Sequence, residues 1–209
     1  MNMKMKKAKA SNPFYMIFHP FDASYDIRFK NEGVFGISFV ILFIWFLASI
    51  MERQNTGFIF NHNKLSDLNV FVVFAKVVFP FAMWTCGNWV VSILKNGTGR
   101  FRDIWILSAY CSVPHIIAKI TGIFLSNFLV LNEPFADYVK LFGLLWSLII
   151  LFIGTMIIHE YGFTETIAAC IFSVGIMAVI LFISVLVGNL YTEFINFIKT
   201  IFSEILFRL

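Results

Sequence analysis

Cys111, His115 and Lys119 recur at every fourth position of one long apolar stretch. That spacing places all three on one face of a helix. Pro114 lies in the same stretch and removes the amide that would bond the carbonyl of Tyr110, four residues earlier. A freed carbonyl, an imidazole and an ammonium at mid-membrane can line a wet cavity or hold an anionic group. Lys119 is the strongest pointer, because a charge at the centre of a helix costs about 2.5–3.5 kcal/mol on insertion scales. The structural alternative is a kinked helix whose neighbours satisfy these groups, with Lys119 reaching outward along its aliphatic stem. That alternative is preferred. Cys111 and His115 do not make a metal site, since two ligands are too few.

Two further places carry polar chemistry. Lys76 sits four residues before Pro80, so the same proline logic frees its carbonyl, and its position near a span end suits a snorkelling side chain. His159 and Glu160 end the fourth apolar stretch, where they read as an interfacial cap rather than a titrating pair. No Asp or Glu falls inside any apolar stretch as read from the sequence, whereas proton-coupled carriers usually hold carboxylates in the membrane. There is no phosphate-binding loop signature, no H-E-x-x-H, no Ser-His-Asp arrangement and no paired acids. The expectation is a protein without catalytic residues, cofactor or metal.

"KNGTGRF" (95–101) separates the second and third stretches. Its Gly97-x-Gly99 pair lacks the strand before it and the fuller glycine pattern that nucleotide binding needs. The Asn96-Gly97-Thr98 sequon lies on the wrong side for glycosylation by the charge argument below. A tight turn is the remaining reading, with Gly97 and Gly99 supplying positive φ. Lys95, Arg100 and Arg102 would hold that turn at anionic lipid.

These residues need a membrane scaffold to position them. Of 209 residues 59% are hydrophobic and 13% charged, against about 25% charged in a soluble domain. Mean hydropathy is +0.83. Five stretches, 33–51, 68–94, 104–131, 141–158 and 166–190, are long enough to cross a hydrocarbon core of about 30 Å. Cys86, Cys111 and Cys170 all fall inside them, an odd number with no C-x-x-C, so packing is their expected role. The basic start, "MNMKMKKAKASNPF", is not followed by an apolar core, so no cleavable signal peptide is expected. The net charge of +4 reflects lysines at a membrane surface and does not suggest nucleic acid.

Charge sets the expected orientation. Lys4, Lys6, Lys7, Lys9, Arg28, Lys30, Lys95, Arg100 and Arg102 lie on one side, against Arg53, Lys64, Lys199 and Arg208 on the other. The N-terminus and the 95–101 turn are therefore expected in the cytoplasm and the C-terminus outside. Residues 12–30 mix aromatics with charges as a surface-lying segment does. In 193–209, Phe194, Ile198, Ile201, Phe202 and Ile205 form a helical stripe away from most of the charges, which reads as an amphipathic helix.

"NWVVSILKNGTGRFRDIWILSAYCSVPHII" resembles the signature region of the Yip-domain (Ypt/Rab-interacting-protein-like) membrane proteins. There an Asn-Trp precedes a Gly-x-Gly turn and an aromatic-rich third span with a Tyr and an internal Pro. The matching positions are Asn88, Trp89, Gly97, Gly99, Tyr110 and Pro114. "HPFDASYDIRFKNEG" and "MIIHEY" are similar to bacterial members, and the five-span, N-cytoplasmic plan agrees. The Asp-Leu-Tyr-Gly-Pro of eukaryotic members that meet Rab-type GTPases is absent here, which fits the bacterial branch better. The resemblance implies an accessory role, since similar bacterial members tend to accompany carbohydrate ABC transporter genes.

The expected architecture is thus an all-α integral membrane protein. It comprises a basic interfacial segment (1–32), a five-helix domain (33–190) and an amphipathic C-terminal helix (191–209). The expected function is association with other membrane proteins, with ABC transporter permease subunits as the sharpest version and anionic lipid at the cytoplasmic face of the plasma membrane. Small residues at contact spacing, Ser108-x-x-x-Ser112 and Ala169-x-x-x-Ser173, motivate it. The alternative is a small channel or carrier for an anionic or hydroxyl-rich solute lined by Tyr110, His115 and Lys119. Membrane shaping by the two amphipathic flanks ranks third. The hairpin register also predicts a contact between Asn88 and Tyr110, either its hydroxyl or the carbonyl freed by Pro114, because both lie about eleven residues from the turn and a buried amide needs a partner.

Overall fold

The computed structural model describes residues 12–56, 69–128 and 135–208, and every regular element among them is helical. Two short helices, α1 (Pro13–Phe18) and α2 (Pro20–Phe29), precede α3 (Phe35–Asn55) and α4 (Val70–Leu94). Then follow α5 (Phe101–Cys111), α6 (Val113–Ser126), α7 (Phe135–His159) and α8 (Phe163–Arg208). Five helical spans are long and apolar enough to cross a membrane, α5 and α6 together making the third. Lys4, Lys6, Lys7, Lys9, Lys64 and the end of the expected third span at 129–131 lie outside the described residues.

The third span is central. In its most apolar stretch 72% of residues are buried, against 6% in the fifth span. Tyr110, Ile104, Ile106 and Leu107 are among its fully buried side chains. Glycines let α7 approach it closely, as small residues do between membrane helices. A Cβ on Gly143 would lie 2.1 Å from Ala118 Cβ and 2.9 Å from the Pro114 carbonyl, and one on Gly154 2.3 Å from Leu107. The span breaks where Pro114 requires it. The Ser112 amide turns back to the Ala109 carbonyl at 3.2 Å, and α6 restarts with the proline in its first turn.

The N-terminal segment, expected to lie on the surface, folds as two helices and sits deeper than a surface. Met16 and Ile27 are 0% and 1% exposed. Met16 Sδ lies 3.9 Å from Cys111 Sγ, and the Trp146 indole donates to the Ile17 carbonyl at 3.2 Å. Cys111 is about 15 Å along the helix from Phe101 at 1.5 Å per residue. The α1–α2 pair therefore dips to mid-span and returns, its apolar face covered by α5, α6 and α7 instead of by headgroups.

The fifth helix does not stop where its apolar run ends. α8 continues for 46 residues through the expected C-terminal amphipathic stretch, about 69 Å at helical rise. No proline interrupts it, and Ser184, Thr192 and Thr200 return their hydroxyls to carbonyls one turn back.

Candidate functional site

The polar groups gather at two levels. The first is the end of the bundle that carries the 95–100 loop. α4 ends there with its Lys95 amide on the Val91 carbonyl and its Gly97 amide on that of Ser92, and Asn96 takes φ 56°. α7 ends the same way, with the Tyr161 amide on Met156 and Glu160 at φ 58°. Both ends follow the pattern in which one left-handed residue lets the last carbonyls be satisfied. No described glycine has positive φ, so the expected reason for Gly97 and Gly99 is corrected. They are needed for close approach. A Cβ on Gly99 would lie 2.4 Å from His159 Cε1, and one on Gly97 2.3 Å from the Tyr161 hydroxyl and 3.0 Å from His159 Nδ1.

His159 is therefore a buried hub and not an interfacial cap, and it does not pair with Glu160. It is 2% exposed, stacks on Tyr161 with ring centroids 5.2 Å apart, and its Nε2 donates to Asn88 Oδ1 at 2.7 Å. The Asn88–Tyr110 contact expected from the register is not made. Asn88 finds its partner on α7, while the Tyr110 hydroxyl accepts from the Val34 amide at 3.4 Å. The physical reason is that the end of α7 brings the buried His159 ring within hydrogen-bond reach of the Asn88 amide. Glu160 instead accepts from Thr98 Oγ1 at 2.8 Å. Burial, then the charge of Glu165, pushes the Tyr161 phenol above its ordinary range.

Asp103 completes this end. It is 2% exposed and takes Arg100 Nε at 2.9 Å and Arg28 of α2 at 3.3 Å. Arg28 also reaches the Thr98 carbonyl, and Arg100 reaches Asn31. Arg102 donates to the Gly33 carbonyl at 3.3 Å. One carboxylate thus ties α2 and the loop to the central span. Trp89 points outward, 40% exposed, edge-on to Phe101. The cluster positions backbone elements, and among the described residues no three His, Cys, Asp or Glu converge to hold a metal.

The second level is deeper. His115, Cys111, Ser108 and Ser112 of the central span face Trp45, Pro80, Trp84 and Ser147 around a cavity of about 230 Å³. The His115 ring stands edge-on to Trp45 at 5.8 Å, and its backbone amide donates to Ser147 Oγ at 3.0 Å. On the loop side Phe81 and Trp105 meet edge-to-face at 4.8 Å.

Lys119 is not at the midplane. α6 ends at Ser126, so Lys119 is about 27 Å from Phe101 and only about 10 Å from the far end. There it pairs with Glu52 at 2.9 Å and Ser49 Oγ at 3.1 Å, and Lys140 joins Glu52 at 3.4 Å. Sequence reasoning missed Glu52 because it follows the apolar run by one residue. Asp103 was missed likewise, one residue before the next run. Lys76 is exposed on the outer side of α4, as a snorkelling lysine is. The small residues also serve inward contacts: Ala169 and Ser173 are 1% and 0% exposed, and a Cβ on Gly87 would lie 3.0 Å from the Ser173 carbonyl.

No curated protein and no solved structure matches the chain. The family model for the Yip1 domain does, over residues 14–186. That match takes in the two N-terminal helices, the glycine loop with its His159 hub, the first four spans and the fifth up to Leu186, and the chain accordingly belongs to the Yip1-domain family of multipass membrane proteins.

Proposed function

We propose that this protein is a non-enzymatic membrane component that works by associating with other integral membrane proteins, with its N-terminus and the 95–100 loop in the cytoplasm. The observation that carries this reading is the distal part of α8. Residues 181–194 are all exposed, among them Phe182, Leu186, Leu190 and Phe194. The apolar surface continues to Phe202 on a helix of 46 residues, roughly twice what a bilayer needs. Past the hydrocarbon core such a surface requires cover. Ala169 and Ser173 are used inward and offer a partner nothing, whereas distal α8 is free to meet one. The sharpest version is an accessory subunit of a bacterial carbohydrate ABC transporter in the plasma membrane, which the sequence resemblance supports.

Affinity purification in gentle detergent, with photocrosslinking residues at Leu186 and Phe194, tests it. A stoichiometric membrane partner crosslinked at both positions is expected. Recovery of the chain alone would overturn the reading.

The cavity beside His115 favours a second reading, a small carrier for an anionic or hydroxyl-rich solute. It ranks lower because Trp45, Phe81, Trp84, Leu144, Leu148 and Leu151 wall the cavity and Lys119, outside it, is already neutralised by Glu52. Liposome flux lost in Lys119→Leu would revive it.

A further inference from the structure

We propose that the crevice between α4 and α8 at the loop end holds one anionic phospholipid, with an acyl chain between the helices and the phosphate at Lys95. Val91 and Leu94 of α4 face Phe172, Gly175, Ile176 and Val179 of α8 across a space of about 520 Å³, and Lys95 completes the lining at its mouth. From Phe172 to Val179 the crevice follows α8 for about 10 Å, a depth that only hydrocarbon can fill at this level of a bilayer. It opens outward: Phe172 and Val179 are 58% and 55% exposed, and a Cβ on Gly175 would meet nothing within 4 Å.

The charge at the mouth selects the headgroup. Arg28 and Arg100 are committed to Asp103, whereas among the described residues no carboxylate lies within ion-pair distance of Lys95. Its ammonium, which has three donors, gives one to the neutral Glu165 carbonyl at 3.2 Å. Glu165 turns its own carboxylate to the Gly162 amide at 2.9 Å. The rings of Tyr161 and Phe172, 5.7 and 5.9 Å from Lys95 Nζ, hold the ammonium at the crevice. A phosphate diester supplies the missing counter-charge, and its acyl chain fills the apolar space below. This site goes beyond association with a protein partner and does not depend on it, since the crevice ends at Val179 and the stretch of α8 exposed at every position starts at Leu181.

The test is native mass spectrometry of the full chain in detergent, offered phosphatidylglycerol or phosphatidylcholine with identical acyl chains. One phosphatidylglycerol should be retained about fivefold better than phosphatidylcholine, the worth of one lysine at an anionic surface. Lys95→Gln should abolish that preference, and Gly175→Leu, which fills the crevice without a clash, should reduce retention of both lipids. Lys76→Gln, near the opposite end of α4, should change nothing. Equal retention of the two lipids by the native chain would overturn the proposal. So would undiminished retention in a folded Gly175→Leu, or a Gly175→Leu defect confined to protein crosslinking, which would mark the crevice as a seat for a partner's helix.

Discussion

Asn88 on α4 and His159 at the end of α7 share a 2.7 Å hydrogen bond, and both side chains are almost fully buried. The bond joins two helices that are not neighbours in sequence, and it fixes the imidazole against the glycine loop. Because an amide oxygen only accepts, His159 carries its proton on Nε2. The arrangement explains why Asn88, Gly97 and Gly99 occur together: the first orients the ring and the other two leave room for it.

Removing one partner should cost more than an average membrane hydrogen bond. Asn88→Leu leaves Nε2–H buried and unpaired, which costs about 1–3 kcal/mol, against about 0.6 kcal/mol for a typical interhelical bond in a membrane. A double-mutant cycle with His159→Leu should be strongly non-additive in reversible unfolding from mixed micelles. Additive losses would show that the two residues stabilise the bundle independently.

The glycine loop gives a second prediction. Gly99→Ala should be destabilising and should displace the His159 ring, because the new methyl would sit 2.4 Å from Cε1. Gly36→Ala is the control, since nothing lies within 4 Å of its added Cβ, and as a change in the first turn of α3 it should be neutral or slightly stabilising. Asn96→Gly should also be tolerated, because Asn96 and not a glycine carries φ 56°. Thermal unfolding in detergent separates the three. Equal shifts for Gly99→Ala and Gly36→Ala would mean that the loop has slack around the ring.

Much of this architecture was legible because apolar run length is a direct demand of the bilayer. All five spans emerge, the first four within about six residues of their expected ends and the fifth running on to Arg208, and the Pro114 break falls where the missing amide requires it. The partners were less legible. A hairpin register relates α4 only to the helix that follows it, while the position of α7 beside Asn88 depends on packing across the whole bundle. Lys119 was placed too centrally because apolarity persists beyond Ser126, where the helix stops. Glu52 and Asp103 escaped because each stands one residue outside an apolar run, although the helix includes it. The charges after Glu193 suggested a separate segment, yet nothing there prevents α8 from continuing.

Asp103 supports a third prediction. Arg28 is the charged tie between α2 and the central span, 3.3 Å from Asp103 and also bonded to the Thr98 carbonyl. Its side chain is 14% exposed, so Arg28→Ala should cost about 1–3 kcal/mol locally. Asp103 keeps Arg100, so the loop should hold while α2 loosens. Hydrogen exchange should therefore accelerate about tenfold or more for amides of 22–29 and stay unchanged in α4. Uniform acceleration throughout the chain would indicate that Arg28 supports the whole bundle rather than the N-terminal dip.

Orientation is the prediction on which the assignment of sides rests. Arg28, Lys30, Lys95, Arg100 and Arg102 cluster at the loop end among the described residues, against Arg53, Lys199 and the Lys119 and Lys140 that pair with Glu52 toward the other side. Charge of this kind near span ends retains a segment in the cytoplasm. Thr98 is exposed at the tip of that loop, and Ser203 is exposed near the far end of α8, one odd number of crossings away. In a background with Cys86, Cys111 and Cys170 replaced by serine or alanine, Thr98→Cys should react with a membrane-impermeant maleimide only in broken cells. Ser203→Cys should react in intact ones. The reverse pattern would turn the protein over, placing Lys95 and its crevice in the outer leaflet and distal α8 against cytoplasmic partners. Labelling of both positions from outside would instead require an even number of crossings between them, contrary to the five-span reading.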